Sequence, residues 1–256
     1  MIRLYLMAAL AVASAPAQWL KYPTAGIPRN ADGTPNLSAP APKLPDGTPD
    51  MRGIWKQPNG VKYTINLAAD SKPGDVVMLP SAAKIYQERQ ENLQKDDPIG
   101  HCNLPGVPQV NAVPYPYKIL QVPGEITILY EAVRTFREIF TDGRAFPVDP
   151  NPAWLGYSVG HFEGDSLVVE TRGQNDKSWL DSGGHPHTEQ LRVTERWRRL
   201  DFGHITLQTT IDDPGAYAKP WTVTYPLTFV PDTELLEYVC TENNKDVDHL
   251  VGKTSK

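Results

Sequence analysis

Trp221-Thr-Val-Thr-Tyr-Pro-Leu-Thr-Phe229 decides the fold class. Trp221, Val223, Tyr225, Leu227 and Phe229 alternate with Thr222, Thr224, Pro226 and Thr228, the two-residue period of a strand with one buried face and one wet face. Working outward, further strands are predicted at 117–122, 125–131, 135–140, 155–162, 166–171, 188–199, 204–212 and 234–239. Turn residues separate them: Pro123-Gly124, Asp142-Gly143, Glu163-Gly164-Asp165 and Asp213-Pro214-Gly215. Helices long enough to cross over between parallel strands are missing. The expectation is an all-β protein, an antiparallel meander forming a lipocalin-like barrel, with a two-sheet sandwich as the alternative.

One hairpin can be placed by parity. Leu191, Val193 and Trp197 sit at odd positions, as do Ile205, Leu207 and Ile211 across the turn. Odd faces odd only across an odd loop. Asp201-Phe202-Gly203, with Gly203 left-handed, satisfies this and sets Glu195 opposite Thr209.

The N-terminal third is different. Residues 18–50 are rich in proline and carry a near-duplicate, Asp32-Gly-Thr-Pro-Asn36 and Asp46-Gly-Thr-Pro-Asp50. These read as Asp-Gly turns in an extended arm that lies on the domain or stays mobile. The domain proper spans 51–256. Its one convincing helix is 81–93, capped by Ser81, with Ile85, Arg89 and Leu93 on one stripe.

Arg3, the apolar run 4–12 (LYLMAALAV) and Ala15-Pro16-Ala17 form a signal peptide pattern cleaved after Ala17. A periplasmic or extracellular destination follows. The apolar run is too short to span a bilayer, so no membrane span is expected. The formal net charge of −5, without a basic tract, excludes a nucleic-acid footprint. The chain holds two cysteines; in an oxidising compartment Cys102 and Cys240 are expected to bridge, with two buried free thiols as the alternative. The sequence sets no oligomeric state.

The candidate chemistry lies around the strand at 188–199. His185, His187, Glu189 and Glu195 share the parity of Leu191, Val193 and Trp197, so a regular strand would turn all four inward. Thr188, Gln190, Arg192, Thr194, Arg196 and Arg198 take the wet side. The loop 172–187 (RGQNDKSWLDSGGHPH) supplies Asn175, Asp181 and Trp179, the last as an apolar wall or stacking platform. Tyr130, Tyr157 and Arg137 are further ligand-binding candidates.

Three readings compete. In the first, a bound small organic molecule (sugar, phenolic or lipid) undergoes cofactor-free acid–base chemistry, an isomerisation, elimination or hydrolysis. His187 and Glu195 move the proton and Asp181 orients the imidazole. In the second, His185, His187 and Glu189 hold a divalent transition metal. In the third, the protein is a non-catalytic ligand carrier, the histidines cap a strand end, and Glu195 pairs with a buried arginine such as Arg137. No organic cofactor is predicted, because no phosphate-binding glycine loop is present.

Seven blocks are similar to a large group of exported bacterial β proteins, abundant in acidobacteria. They are 45–55 (PDGTPDMRGIW), 102–108 (CNLPGVP), 139–144 (IFTDGR), 156–171 (GYSVGHFEGDSLVVET), 186–196 (PHTEQLRVTER), 211–221 (IDDPGAYAKPW) and 236–243 (LEYVCTEN). The resemblance implies a secreted β protein with His187, Thr188, Glu195 and Arg196 in its pattern. Distant members often lack the residue at the His185 position, which counts against an obligatory two-histidine metal site. Gly53-Ile54-Trp55 also resembles the Gly-x-Trp opening the first strand of lipocalin-like (calycin) barrels, where the tryptophan plugs the barrel bottom.

Overall fold

The computed structural model describes residues 22–242, 244–245, 249–250 and 252. The signal peptide expected at 1–17 lies outside them. Nine strands close into one barrel in sequence order. They are β1 (Gly53–Lys56), β2 (Tyr117–Val122), β3 (Glu125–Tyr130), β4 (Thr135–Phe140), β5 (Tyr157–Glu163), β6 (Ser166–Arg172), β7 (Arg192–Arg199), β8 (His204–Asp212) and β9 (Trp221–Phe229). Three short helices, α1 (Lys62–Ile65), α2 (Pro80–Glu91) and α3 (Gln109–Ala112), all lie in the long connection between β1 and β2.

The barrel, rather than the sandwich, is what alternation built. On β7, Val193, Glu195, Trp197 and Arg199 are buried, whereas Arg192, Thr194, Arg196 and Arg198 are exposed or half-exposed. On β9 all five odd positions are buried. The β7–β8 register pairs Glu195 with Thr209 and Trp197 with Leu207, as parity required. Because the period is two, a one-residue slip would expose the whole inner set.

Four departures are instructive. The β4–β5 pairing is parallel, so 141–156 returns along the outer wall instead of forming a hairpin at Asp142-Gly143. Arg144 lies 3.8 Å over the Phe140 ring and Arg172 lies 4.6 Å over Phe146, pinning that return to the barrel. Residues 233–239 form no strand; the ninth strand is the four-residue β1, which closes the barrel between β2 and β9. Strand β7 starts at Arg192 rather than 188, which removes His185, His187 and Glu189 from the alternation. Finally, α2 starts with Pro80 at its first turn and has no side-chain cap. Its predicted stripe is not its buried face: Ile85 and Leu93 are exposed and Ala82 is buried.

The arm lies on the domain, and its near-duplicate sequence is duplicated structure. Asp32 accepts the backbone and hydroxyl hydrogens of Thr34 at 2.9 and 2.6 Å; Asp46 does the same with Thr48 at the same distances. These donors hold both carboxyl pKa values below the ordinary range. The arm crosses the β7–β8 turn, where Phe202 and Gly203 donate backbone N–H to Ala39 and Leu37 at 2.7 and 2.8 Å.

Trp55 closes this end, fully buried, with Phe229 edge-on at 5.3 Å and the Arg199 guanidinium 4.9 Å over its ring. Cys102 and Cys240 form a disulfide across a separation of 138 residues. It ties the segment before α3 to the tail beyond β9, and by loop entropy is worth about 4–5 kcal/mol.

Gly203 is not left-handed. It is a glycine because a Cβ would fall 2.5 Å from Leu37 Cβ and 2.9 Å from the Leu37 carbonyl oxygen. Gly203→Ala is therefore expected to lift the arm off the turn at a cost of about 1–3 kcal/mol. Limited proteolysis should then cut within 22–50 faster than in the parent while the barrel core resists.

Candidate functional site

Glu195 points into the barrel and is fully buried. A lone carboxylate there would cost several kcal/mol, so its partners matter. Arg137, on β4, donates to one of its oxygens, and Asn111, on α3, donates Nδ2 to the other at 2.6 Å. The guanidinium is also tied down at Nε by Ser158 Oγ, 3.0 Å, and through the same Nη2 that meets Glu195 by Thr171 Oγ1, 2.8 Å. Tyr130 donates its hydroxyl to Asn111 Oδ1 at 2.8 Å. Burial works against the Arg137 cation, but the adjoining Glu195 carboxylate outweighs it and raises its pKa. Strands β3, β4, β5, β6 and β7 and helix α3 thus meet at one charged hub.

The hub is not fully satisfied. Arg137 Nη1, the Tyr117 and Tyr225 hydroxyls, Thr209 Oγ1 and Trp197 Nε1 are all buried without a hydrogen-bond partner. Burial pushes both tyrosine hydroxyls well above their ordinary pKa; Tyr225, Tyr130 and the Glu195 charge add to it at Tyr117, and Glu195 adds to it at Tyr225, where the Thr209 hydroxyl pulls the other way. Both share Glu195, Arg137 and Tyr130 as electrostatic neighbours. A buried polar atom left unpaired costs about 1–3 kcal/mol.

A second polar cluster occupies the opposite end of the barrel from the arm, in the loop joining β6 to β7. His185 and His187 are both buried, while Glu189 is exposed. Asp181 orients an imidazole, but that of His185: Oδ2 lies 2.6 Å from Nδ1 and also accepts the Leu67 backbone N–H at 2.8 Å. His187 instead meets Ser178, with Oγ 2.9 Å from Nε2. Next to it, Asp213 takes the backbone N–H and hydroxyl of Thr188 at 2.6 and 2.7 Å, which fixes the chain just before β7. The two histidines therefore have separate partners. Among the described residues no group of three or more His, Cys, Asp or Glu side chains could hold a metal ion.

His187 and Glu195, expected in one enclosed space, belong to different networks. Strand alternation carries Glu195 inward; Pro186 and the Thr188–Asp213 contact keep His187 in a loop. The chain matches no family model, no curated protein and no solved structure. Function must therefore be argued from these two clusters.

The remaining candidates divide between them. Tyr130 and Arg137 belong to the hub. Tyr157 does not: it faces outward, 5.2 Å from Phe140, because the buried residues of β5 are Ser158 and Gly160. Trp179 is buried under the Arg89 guanidinium, 4.2 Å over its ring, and burial brings the Arg89 pKa down to about 10. The two line a surface cleft of about 320 Å³ with Ile85 and Asp96. Asn175 is a turn residue whose Oδ1 accepts the Lys177 N–H at 3.1 Å.

The sequence did not single out Asn111, Ser158 and Thr171 of the hub, the unpaired Tyr117, Tyr225, Thr209 and Trp197, or Ser178 and Gln174 of the loop cluster. The proline-led apolar segment around α3 is the signal that could have found Asn111, since a lone amide among Val110, Ala112 and Val113 must find an internal partner.

The ion pair makes a stability prediction. Glu195→Gln leaves a buried, uncompensated guanidinium and should cost about 3–5 kcal/mol by urea unfolding, whereas the double variant Arg137→Met with Glu195→Leu recovers most of that loss. Near-wild-type stability for the single variant would show that the pair does not hold the barrel.

His187 makes another. Burial lowers its pKa below 6.5, opposed by the Thr188 carbonyl and the Asp213 charge. The unfolded chain then binds the proton more readily than the folded one. The His187 contribution to stability is thus complete above pH 6.5 and lost as pH falls through the folded value. Unfolding midpoints measured between pH 8 and 5 should fall more steeply for the parent than for His187→Gln.

Proposed function

We propose that this protein is an exported, lipocalin-like barrel that binds a small, neutral, oxygen-rich organic molecule at its charged hub. The observation carrying this reading is the set of five buried polar atoms without partners: Arg137 Nη1, Tyr117 OH, Tyr225 OH, Thr209 Oγ1 and Trp197 Nε1. At about 1–3 kcal/mol each, they represent a substantial cost that an occupant could offset. Every one of them can donate a hydrogen, and the indole and guanidinium atoms can only donate. An occupant rich in acceptor oxygens answers that demand.

Charge and room narrow the choice. Arg137 and Glu195 already neutralise each other, so an anion would bring a net charge into a dry interior. Trp55, Ile126, Ile128 and Ile139 fill the rest of the core, which favours a small molecule over a lipid tail. A sugar or a phenolic fits better than a fatty acid.

Binding is favoured over acid–base chemistry at Glu195, because both of its oxygens are engaged and His187 lies in a separate network. The Cys102–Cys240 disulfide supports work outside the cytoplasm.

Thermal unfolding with xylose, catechol and dodecanoate tests the reading, with Thr209→Val and Tyr225→Phe as variants. Xylose or catechol is expected to raise the midpoint of the parent. Each variant should lose that increase while matching or exceeding the stability of the ligand-free parent, since it deletes an unpaired hydroxyl. No shift with any compound, together with variants destabilised by more than about 1 kcal/mol, would mean that fixed water fills the hub and would end the proposal.

A further inference from the structure

The loop between β6 and β7 holds an arrangement separate from the hub. Ser178 Oγ lies 2.9 Å from His187 Nε2, and His187 Nδ1 lies 3.2 Å from the Thr188 carbonyl oxygen. A carbonyl only accepts, so Nδ1 carries the hydrogen and Nε2 is left to accept the Ser178 hydroxyl hydrogen. That is the tautomer a general base needs to activate a serine.

Beside this pair is Gln174, fully buried. Its Oε1 accepts the Val107 N–H at 2.8 Å, and its Nε2 has no partner. A Cβ on Gly106 would fall 2.3 Å from Ser178 Oγ and 2.8 Å from Gln174 Oε1. The Gly106 backbone therefore runs directly over both side chains, with the Ser178 hydroxyl and the Gln174 amide oxygen as neighbours beneath it.

We propose that Ser178, His187 and Gln174 form a covered acyl-transfer site for small carboxylic esters. Ser178 Oγ bonds to the acyl carbon as its proton passes to His187 Nε2. The charge that develops on the carbonyl oxygen accepts a hydrogen from the free Gln174 amide, the role of an oxyanion donor. Collapse breaks the bond to the leaving alcohol, which departs with the proton from His187. Water then attacks the acyl-serine, gives a proton to His187, and releases the carboxylic acid as Ser178 recovers its hydrogen.

Three features of the chain fit this assignment. Burial disfavours the charged form of His187, so the base is free near neutral pH. The cover is the segment 103–108, which has no regular secondary structure and is fastened to Gln174 at Val107. Its start, Cys102, is tied to Cys240. Ser178 lies under it and both Ser178 and His187 are buried, so an acyl group reaches the hydroxyl when this segment lifts, and the disulfide limits how far it can.

The test is labelling of the full mature chain with a fluorophosphonate, in oxidised and reduced forms, followed by peptide mapping. One phosphonyl group per chain on Ser178 is expected, forming faster after reduction. His187→Gln, checked for folding by circular dichroism, should slow it by at least about 100-fold. Mapping of the parent decides the matter even if that variant fails to fold. No adduct on Ser178 in either redox form overturns the proposal. So does labelling of folded His187→Gln at the parental rate, since the hydroxyl would then react without its base.

Discussion

A buried arginine and a buried glutamate hold this barrel in register. Either charge alone would be intolerable in the interior, so the fold must bring Arg137 on β4 and Glu195 on β7 together, although two strands, β5 and β6, lie between them in sequence. Once they meet, the leftover donors and acceptors recruit Ser158, Thr171 and Asn111, and Asn111 recruits Tyr130. A shift of one residue on either strand would expose the apolar inner set and, in addition, put a charge on the wrong face. The pair contributes specificity of arrangement more than net stability.

The same pair explains how the long β1–β2 connection is docked. Helix α3 has four residues, all buried, too short to hold itself together without tertiary contacts. Asn111 is its anchor: one amide group spans from the Glu195 carboxylate to the Tyr130 hydroxyl. The segment from Cys102 to Pro108, leading into α3, is thereby fixed at one side by the hub and at the other by Gln174. Its position over Ser178 is a by-product of that docking. Two polar clusters, chemically independent, share one covering strap.

The sequence was most legible where periodicity and closure agreed. Strands β8 and β9 and the Glu195–Thr209 register follow from alternation, because hairpin geometry leaves no other solution. Four-residue β1 offered too few alternations to count as a strand, though Gly53-Ile54-Trp55 did mark its place. The reverse error, a strand at 234–239, arose because alternation has no meaning without a neighbouring edge. His185 and His187 were assigned inward by extending a period past Pro186, where the chain is no longer pleated. They are buried nonetheless, by loop packing, which a parity argument does not see. Ser178 and Gln174 carry no periodic signal; only the folded loop brings them to His187.

The arm has a consequence for traffic. Its passage across the β7–β8 turn, together with Trp55, Phe229 and the Arg199 side chain stacked on Trp55, stoppers one mouth of the barrel with tightly fitted aromatic rings. The other mouth is roofed by short helices and irregular loops that send Tyr63, Leu67, Val110 and Leu180 into the core, with Tyr63 stacked on Tyr225 at 5.0 Å. The stopper rings of Trp55 and Phe229 sit on the strands β1 and β9 themselves, whereas the roof is connecting chain, so a solute exchanging with the interior would displace roof rather than wall. The molecule is a flask rather than a tube, with a lidded neck.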